Sequence, residues 1–252
     1  MRKLWLDFRS LVLWAVSGIH FFFGCVFLIV MAIFLDPRKN DRPQRMFSRN
    51  VLRLAGVRFE VRRSASFDPH RTSFFLVNHV NLFDPFALYS AIPQFVRGLE
   101  LESHFRIPVY GLLMKRFGNI PVPDVRRPSD LKRMWKMTRE ALDRGVSLIV
   151  FPEGKRTLDG RVGSFQDGAF RMAQQFGHPI VPISIVGSFE FNNKKHWGLR
   201  PSRIVVHIHD TIEIAAMKKG DVPQLRERVR QIVAEPVDAY YAERTGNGPE
   251  SS

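Results

Sequence analysis

The sequence predicts an α/β fold in which a mostly parallel central sheet is flanked by helices and preceded by an N-terminal membrane helix or helical hairpin. Three observations predict it. Residues 11–35 run for 25 positions without Asp, Glu, Lys or Arg. Beyond them, short apolar runs such as Ser73-Phe74-Phe75-Leu76-Val77 and Val146-Ser147-Leu148-Ile149-Val150-Phe151 alternate with segments of helical spacing, the pattern of strands joined by helices. Both of these runs end in polar loops, and open α/β sheets bind ligands at strand ends.

The N-terminal run comes first. As one helix it is about 37 Å long, enough for a ~30 Å hydrocarbon core with some tilt. It is too long for a signal peptide, and no small-x-small cleavage site precedes Asp36-Pro37. Ser17-Gly18-Ile19-His20 interrupts it, so the alternative to a single span is two shorter helices that enter one leaflet and return. Arg2, Lys3 and Arg9 precede the run, and Arg38, Lys39, Arg42 and Arg45 follow it. The larger C-terminal share puts the following domain on the cytoplasmic side. His20, inside the run, is read as a neutral imidazole bonded to a backbone carbonyl.

Residues 36–43 form a polar linker, and 45–55 a short amphipathic helix stopped by Gly56. Residues 57–61 alternate as a strand, and 64–71 are a polar turn. After the 73–78 strand, Asp84 is placed as a helix N-cap with Pro85 at the first helical position. Leu131, Met134, Trp135, Thr138, Ala141 and Leu142 mark a helix over 129–144, followed by a strand at 146–151. A helix at 165–176 closes at Gly177, strands follow at 180–186 and 204–208, and a last helix at 223–242 bends near Pro236. The division is therefore a membrane segment and linker over 1–43, one α/β domain over 44–244 and a disordered tail over 245–252. The single cysteine, Cys25, excludes an intramolecular disulfide, and a net charge of +14 directs the chain toward anionic partners.

The chemistry concentrates after two strands. Asn78-His79-Val80-Asn81-Leu82-Phe83-Asp84 sets a histidine at a strand exit with a carboxylate five residues on. A turn from strand to helix can bring the two together, so that Asp84 orients the imidazole while His79 takes a proton from a hydroxyl. Asn78 and Asn81 are read as turn residues. Pro152-Glu153-Gly154-Lys155-Arg156 sets a carboxylate, a glycine and two cations beyond the second strand. Arg156 has the planar fork that suits a phosphate. Glu153 either positions substrate hydroxyls or pairs with Arg156, Gly154 allows close backbone approach, and Lys155 adds charge or faces water.

With His-x4-Asp, Pro-Glu-Gly-x-Arg and then Val181-Pro182-Ile183 in order, the chain resembles the glycerolipid acyltransferase superfamily from about Arg45 to Asp210. That resemblance implies His79 as general base, Asp84 as its partner, and Glu153, Gly154, Lys155 and Arg156 as substrate-binding residues, with Arg156 on the acceptor phosphate. It implies a fatty acyl thioester donor, acyl-CoA or acyl carrier protein, and an acceptor such as 1-acylglycerol-3-phosphate. Ile107-Pro108-Val109-Tyr110-Gly111 and Gly118-Asn119-Ile120-Pro121-Val122 match the framework of the family's intermediate block. Its charges depart: Glu100, Glu102 and His104 stand where a lysine is usual and Asp124 near the usual arginine. Arg126 and Arg127 are candidates to substitute, and Gln166 stands where lysine is frequent.

The expected protein is thus a membrane-bound acyltransferase of phospholipid synthesis that uses its acyl thioester as co-substrate, with no cofactor and no metal. Its partners are membrane lipids and the acyl donor. The alternatives are a related enzyme with a different lyso-lipid acceptor, of remodelling or ornithine-lipid type, and a non-catalytic membrane adaptor. No nucleic-acid reading module is visible. His207 and His209 share a strand face but lack a third ligand. Lys194-Lys195-His196-Trp197 and Arg200 form a basic, aromatic stretch suited either to anionic headgroups or to a solvated loop.

Overall fold

Phe74-Phe75-Leu76-Val77 has no polar face to leave in water, so a strand made from it must be covered on both sides. The structure, a computed structural model that describes residues 2–39, 41–125, 127–214 and 217–245, covers it that way. Seven strands among the described residues, β1 (Val57–Arg63), β2 (Phe74–Val77), β3 (Val96–Leu101), β4 (Ile120–Val122), β5 (Ser147–Val150), β6 (Ile180–Val186) and β7 (Ser202–Ile208), form a sheet in the order β1-β7-β6-β2-β5-β3-β4. All neighbours pair parallel except β6 and β7, so the mostly parallel α/β architecture holds. The antiparallel join turns β7 and β1 against the other five strands.

Strand alternation divides the core in two. Phe75 and Val77 face α1 (Arg2–Phe34), α2 (Arg42–Leu54), α3 (Asp84–Ala91) and α4 (Tyr110–Arg116). Phe74 and Leu76 face α5 (Pro128–Asp143), α6 (Asp167–Phe176) and α8 (Val222–Thr245). The short α7 (Ser188–Phe191) follows β6. α8 continues through Pro236 and ends at Thr245, the first residue of the expected 245–252 tail; the rest of that tail, 246–252, lies outside the described residues.

The N-terminal segment takes the first of its two expected forms, one helix and not a hairpin. α1 is a single unbroken helix of 33 residues, with no turn at Ser17-Gly18. Ser17 is buried against the domain, and packing of the apolar flanks outweighs the ~1 kcal/mol that a mid-helix glycine costs. It is the one described helix long and apolar enough to cross a membrane, with a mean hydropathy of 2.4. Its inner face is fastened to the domain along its length. Arg9 Nη1 donates to Leu199 O at 3.0 Å, Trp14 Nε1 to Trp197 O at 2.8 Å, and Arg116 Nη2 to Ala32 O at 3.2 Å. Gly24 lets Phe47 of α2 approach; a Cβ there would sit 2.2 Å from the ring. His20 lies beside Phe47, with ring centroids 5.4 Å apart. Its Nε2 is buried without a partner, so the expected imidazole–carbonyl bond is not made through that nitrogen. The outer face stays exposed and apolar through Leu4, Phe8, Leu11, Ile19, Phe23 and Val30.

Candidate active site

β2 and β5 are parallel neighbours with Leu76 opposite Val150, so the chain leaves both strands at the same sheet edge. β6, parallel to β2 on its other side, brings Ser188 toward that edge. Three strand ends therefore converge where the sequence concentrates its chemistry.

His79 Nδ1 lies 2.9 Å from Asp84 Oδ2, and the carboxylate is fully buried. The same oxygen accepts the amides of Val80 at 2.6 Å and Asn81 at 2.9 Å, while Oδ1 accepts the Ser188 hydroxyl at 2.9 Å. A carboxylate can only accept, so Nδ1 carries a proton, and in the neutral tautomer of that ring Nε2 holds the lone pair. The imidazole stacks on Phe151, with centroids 4.1 Å apart. The placement of Asp84 differs slightly from expectation. It is the first residue of α3 rather than its N-cap, and it ties down the preceding loop instead of the helix amides. Asn81 is a turn residue as expected, whereas Asn78 bridges to β6. Asn81 Oδ1 accepts Phe83 N at 2.7 Å, and Asn78 exchanges two bonds with the backbone of Ile185.

Glu153 does not make one of its two expected contacts. Its side chain does not pair with Arg156. Oε1 accepts the amide of His79 at 2.9 Å and Oε2 that of Gly163 at 3.1 Å. Burial pushes its carboxyl above the ordinary glutamate range, against the pull of those two amides. Thr157 N donates to His79 O at 2.9 Å, so the second loop holds the backbone of His79 from both sides. Gly154 has φ +69, and a Cβ there would meet the Gln166 side-chain amide at 2.5 Å. The turn thus needs glycine for conformation as well as space.

Arg156 lines an open cleft of about 420 Å³ together with Leu82, which lies between His79 and Asp84, with Trp14 of α1 and with residues 192–197. Lys155 is exposed and does not line it. Arg127 is exposed at the start of α5, and Arg126 lies outside the described residues. The departing acidic positions are locally engaged. Glu102 pairs with Arg133 at 2.7 Å, Glu100 with His104 at 2.6 Å, and Asp124 accepts the amide and hydroxyl of Ser103 at 2.9 and 2.8 Å. His209 Nε2 lies 2.8 Å from the Ser184 hydroxyl, and among the described residues no cluster suits a metal ion.

An acyltransferase family model matches residues 58–186, just over half of the 252. This chain belongs to the acyltransferase family. A 1-acyl-sn-glycerol-3-phosphate acyltransferase of Chlamydomonas reinhardtii is 30% identical over 167 residues, 66% of this chain and 48% of that protein. The 1-acyl-sn-glycerol-3-phosphate acyltransferase of Escherichia coli is 25% identical over 241 residues, 92% of this chain and 96% of that protein. The chain thus spans about half of some curated relatives and nearly all of another. The fold matches the crystal structure of the 1-acyl-sn-glycerophosphate (LPA) acyltransferase PlsC from Thermotoga maritima, with a TM-score of 0.81 at 22% identity over 96% of this chain and 98% of that one.

Sequence reasoning missed two parts of this family member's site. Ser188, the donor to Asp84, had one signal: a Gly-Ser pair just after the strand that contains the Val-Pro-Ile block. Trp14 had none, since nothing in a membrane-like run announces that one indole turns back to the domain.

Proposed function

We propose that this chain is a membrane-bound acyltransferase that esterifies 1-acylglycerol-3-phosphate with a fatty acyl group from acyl-CoA or acyl carrier protein. The observation that carries the reading is the His79–Asp84 pair, held at 2.9 Å on a turn whose Leu82 lines a cleft together with Arg156. An alcohol is a poor nucleophile at neutral pH. His79 Nε2 takes its proton as the oxygen attacks the thioester carbonyl, and buried Asp84 stabilises the imidazolium. When the tetrahedral intermediate collapses, the C–S bond breaks and the imidazolium returns the proton to the leaving thiolate. The acceptor supplies the nucleophile, so no acyl-enzyme forms. Arg156 binds the acceptor phosphate. Glu153 acts through the backbone of His79 and is a positioning residue.

The membrane attachment follows from α1. Contacts from Arg9 to Ala32 span about 35 Å of helix, and a helix fastened to its own domain over that length does not also cross a ~30 Å hydrocarbon core. Its exposed apolar face lies in the plane of the bilayer instead, with the catalytic domain on the cytoplasmic side. Acyl transfer from labelled acyl-CoA and acyl carrier protein to a lysolipid panel tests the reading. Label in phosphatidate, present with wild type and absent with His79→Ala, is expected. Label only in products of phosphate-free acceptors contradicts it.

A further inference from the structure

We propose that the 192–197 loop forms the second wall of the acceptor site, with Lys194 and Lys195 joining Arg156 on the acceptor's phosphate. This rests on the acceptor reading above. The cleft of about 420 Å³ is lined by Trp14, Leu82, Arg156, Lys194, Lys195 and Trp197 among others, and by no carboxylate. That volume lies within the usual range of small-ligand sites, about 300–1,000 Å³. Among the described residues, none of the three cations has an ion-pair partner. Like charges gathered around one concavity repel each other until an anion enters, and such a concavity concentrates anions.

The loop is built rather than loose. Asn192 Nδ2 donates to the carbonyls of His196, Trp197 and Gly198 at 3.3, 3.4 and 3.3 Å. Asn193 Oδ1 accepts Lys195 N at 2.9 Å, and its Nδ2 donates to Phe189 O at 3.0 Å. The loop is also tied to the catalytic turn. Asn81 Nδ2 reaches Ser188 O at 2.7 Å and Asn192 O at 3.3 Å, and the Ser188 hydroxyl reaches Asp84. The lysines therefore sit on a frame fixed to the His79–Asp84 pair. Trp14, bonded to Trp197 O at 2.8 Å, supplies an apolar wall from the helix whose outer face meets lipid. A cleft with a cationic group and an apolar wall continuous with the membrane helix suits an anionic amphiphile.

The test is binding of lysophosphatidate and of monoacylglycerol, without donor, to the full chain in mixed micelles, alongside the kinetics of both substrates. The double variant Lys194→Gln/Lys195→Gln is expected to lose about tenfold in lysophosphatidate affinity, with monoacylglycerol affinity, kcat and donor KM unchanged. The variant Lys194→Arg/Lys195→Arg retains affinity, and if the double glutamine variant unfolds, each single variant shows a smaller loss in the same direction. Unchanged lysophosphatidate affinity overturns the proposal. A rise confined to donor KM assigns the loop to the donor's phosphates and overturns it as well, as does a loss confined to association with anionic vesicles. Lysine-dependent binding of lysophosphatidate without its acylation supports this proposal while contradicting the acyltransferase reading.

Discussion

Asp84 accepts four hydrogen bonds where no solvent reaches it, whereas Arg156, Lys194 and Lys195 stand around an open cleft with no carboxylate among its lining residues. The two halves of the site are built in opposite ways, which fits the different work that the proposed function assigns to them. A base that must present one tautomer in one orientation gains from having every alternative removed beforehand. A cation that must take up a charged headgroup gains from having no internal partner to give up. Removing a group from the closed half should therefore lower kcat, and removing one from the open half should raise acceptor KM.

Asp84→Asn attacks the closed half most severely, because an amide nitrogen cannot accept from three donors at once. Turnover is expected to fall by on the order of 10²–10⁴-fold, with acceptor KM nearly unchanged. A variant that loses affinity instead breaks the division. Arg156→Ala, on the open side, is expected to raise the apparent KM for lysophosphatidate by about 10–100-fold, the worth of a charge-assisted contact, and to leave phosphate-free acceptors unaffected. An equal loss for both acceptors contradicts its role.

Glu153→Gln sharpens the comparison, since the carboxylate read in the sequence as holding substrate hydroxyls or Arg156 accepts the backbone amide of His79. The variant keeps one acceptor and turns a donor on the other amide. A kcat loss of about tenfold to a hundredfold from a shifted base, with acceptor KM unchanged, supports positioning; a KM effect alone contradicts it. Its stability carries a sign as well. Burial raises the carboxyl, so its contribution to stability is complete below the unfolded-chain value of about 4.3 and is lost as pH rises through the higher folded value. The wild-type Tm minus that of Glu153→Gln is therefore expected to fall as pH rises above the unfolded-chain value, and a difference that grows with pH contradicts this. Ser188→Ala is expected to have the smallest effect. It strands Asp84 Oδ1 at a cost of about 1–3 kcal/mol in stability, with a kcat loss of a few-fold. A thermal melt with a kinetic assay checks it, and an unchanged Tm denies the bond any weight.

The residues that were legible in the sequence are those whose local pattern and tertiary role agree. Phe74-Phe75-Leu76-Val77 is apolar on both faces and is buried on both. His79 and Asp84 lie on either side of a turn and meet across it. The parts that escaped break a local rule for a distant reason. β3 carries Arg97 in its interior, so its short apolar pattern does not announce a strand. That guanidinium is 1% exposed, lies 3.4 Å from the Phe95 ring centroid and donates to Phe117 O and to Gln44 Oε1, partners that no short window reveals. Val109 holds φ 62 in a turn closed by Tyr110 N to Pro108 O at 2.7 Å, a conformation that a β-branched residue resists. The antiparallel entry of β7 follows from the path of a connection and not from the strand's own residues. α1 has the composition of a span, but its hydrogen bonds to the domain come from Arg9, from Trp14 and to its own Ala32 carbonyl, none of which marks the run as fastened.

The most direct test of the central claim is single-turnover acyl transfer to lysophosphatidate by wild type and His79→Ala, each shown to be folded by its thermal melt and to bind the acceptor. The account predicts that His79→Ala binds lysophosphatidate as wild type does and forms phosphatidate on the order of 10²–10⁴-fold more slowly. Equal rates from the two proteins would contradict it.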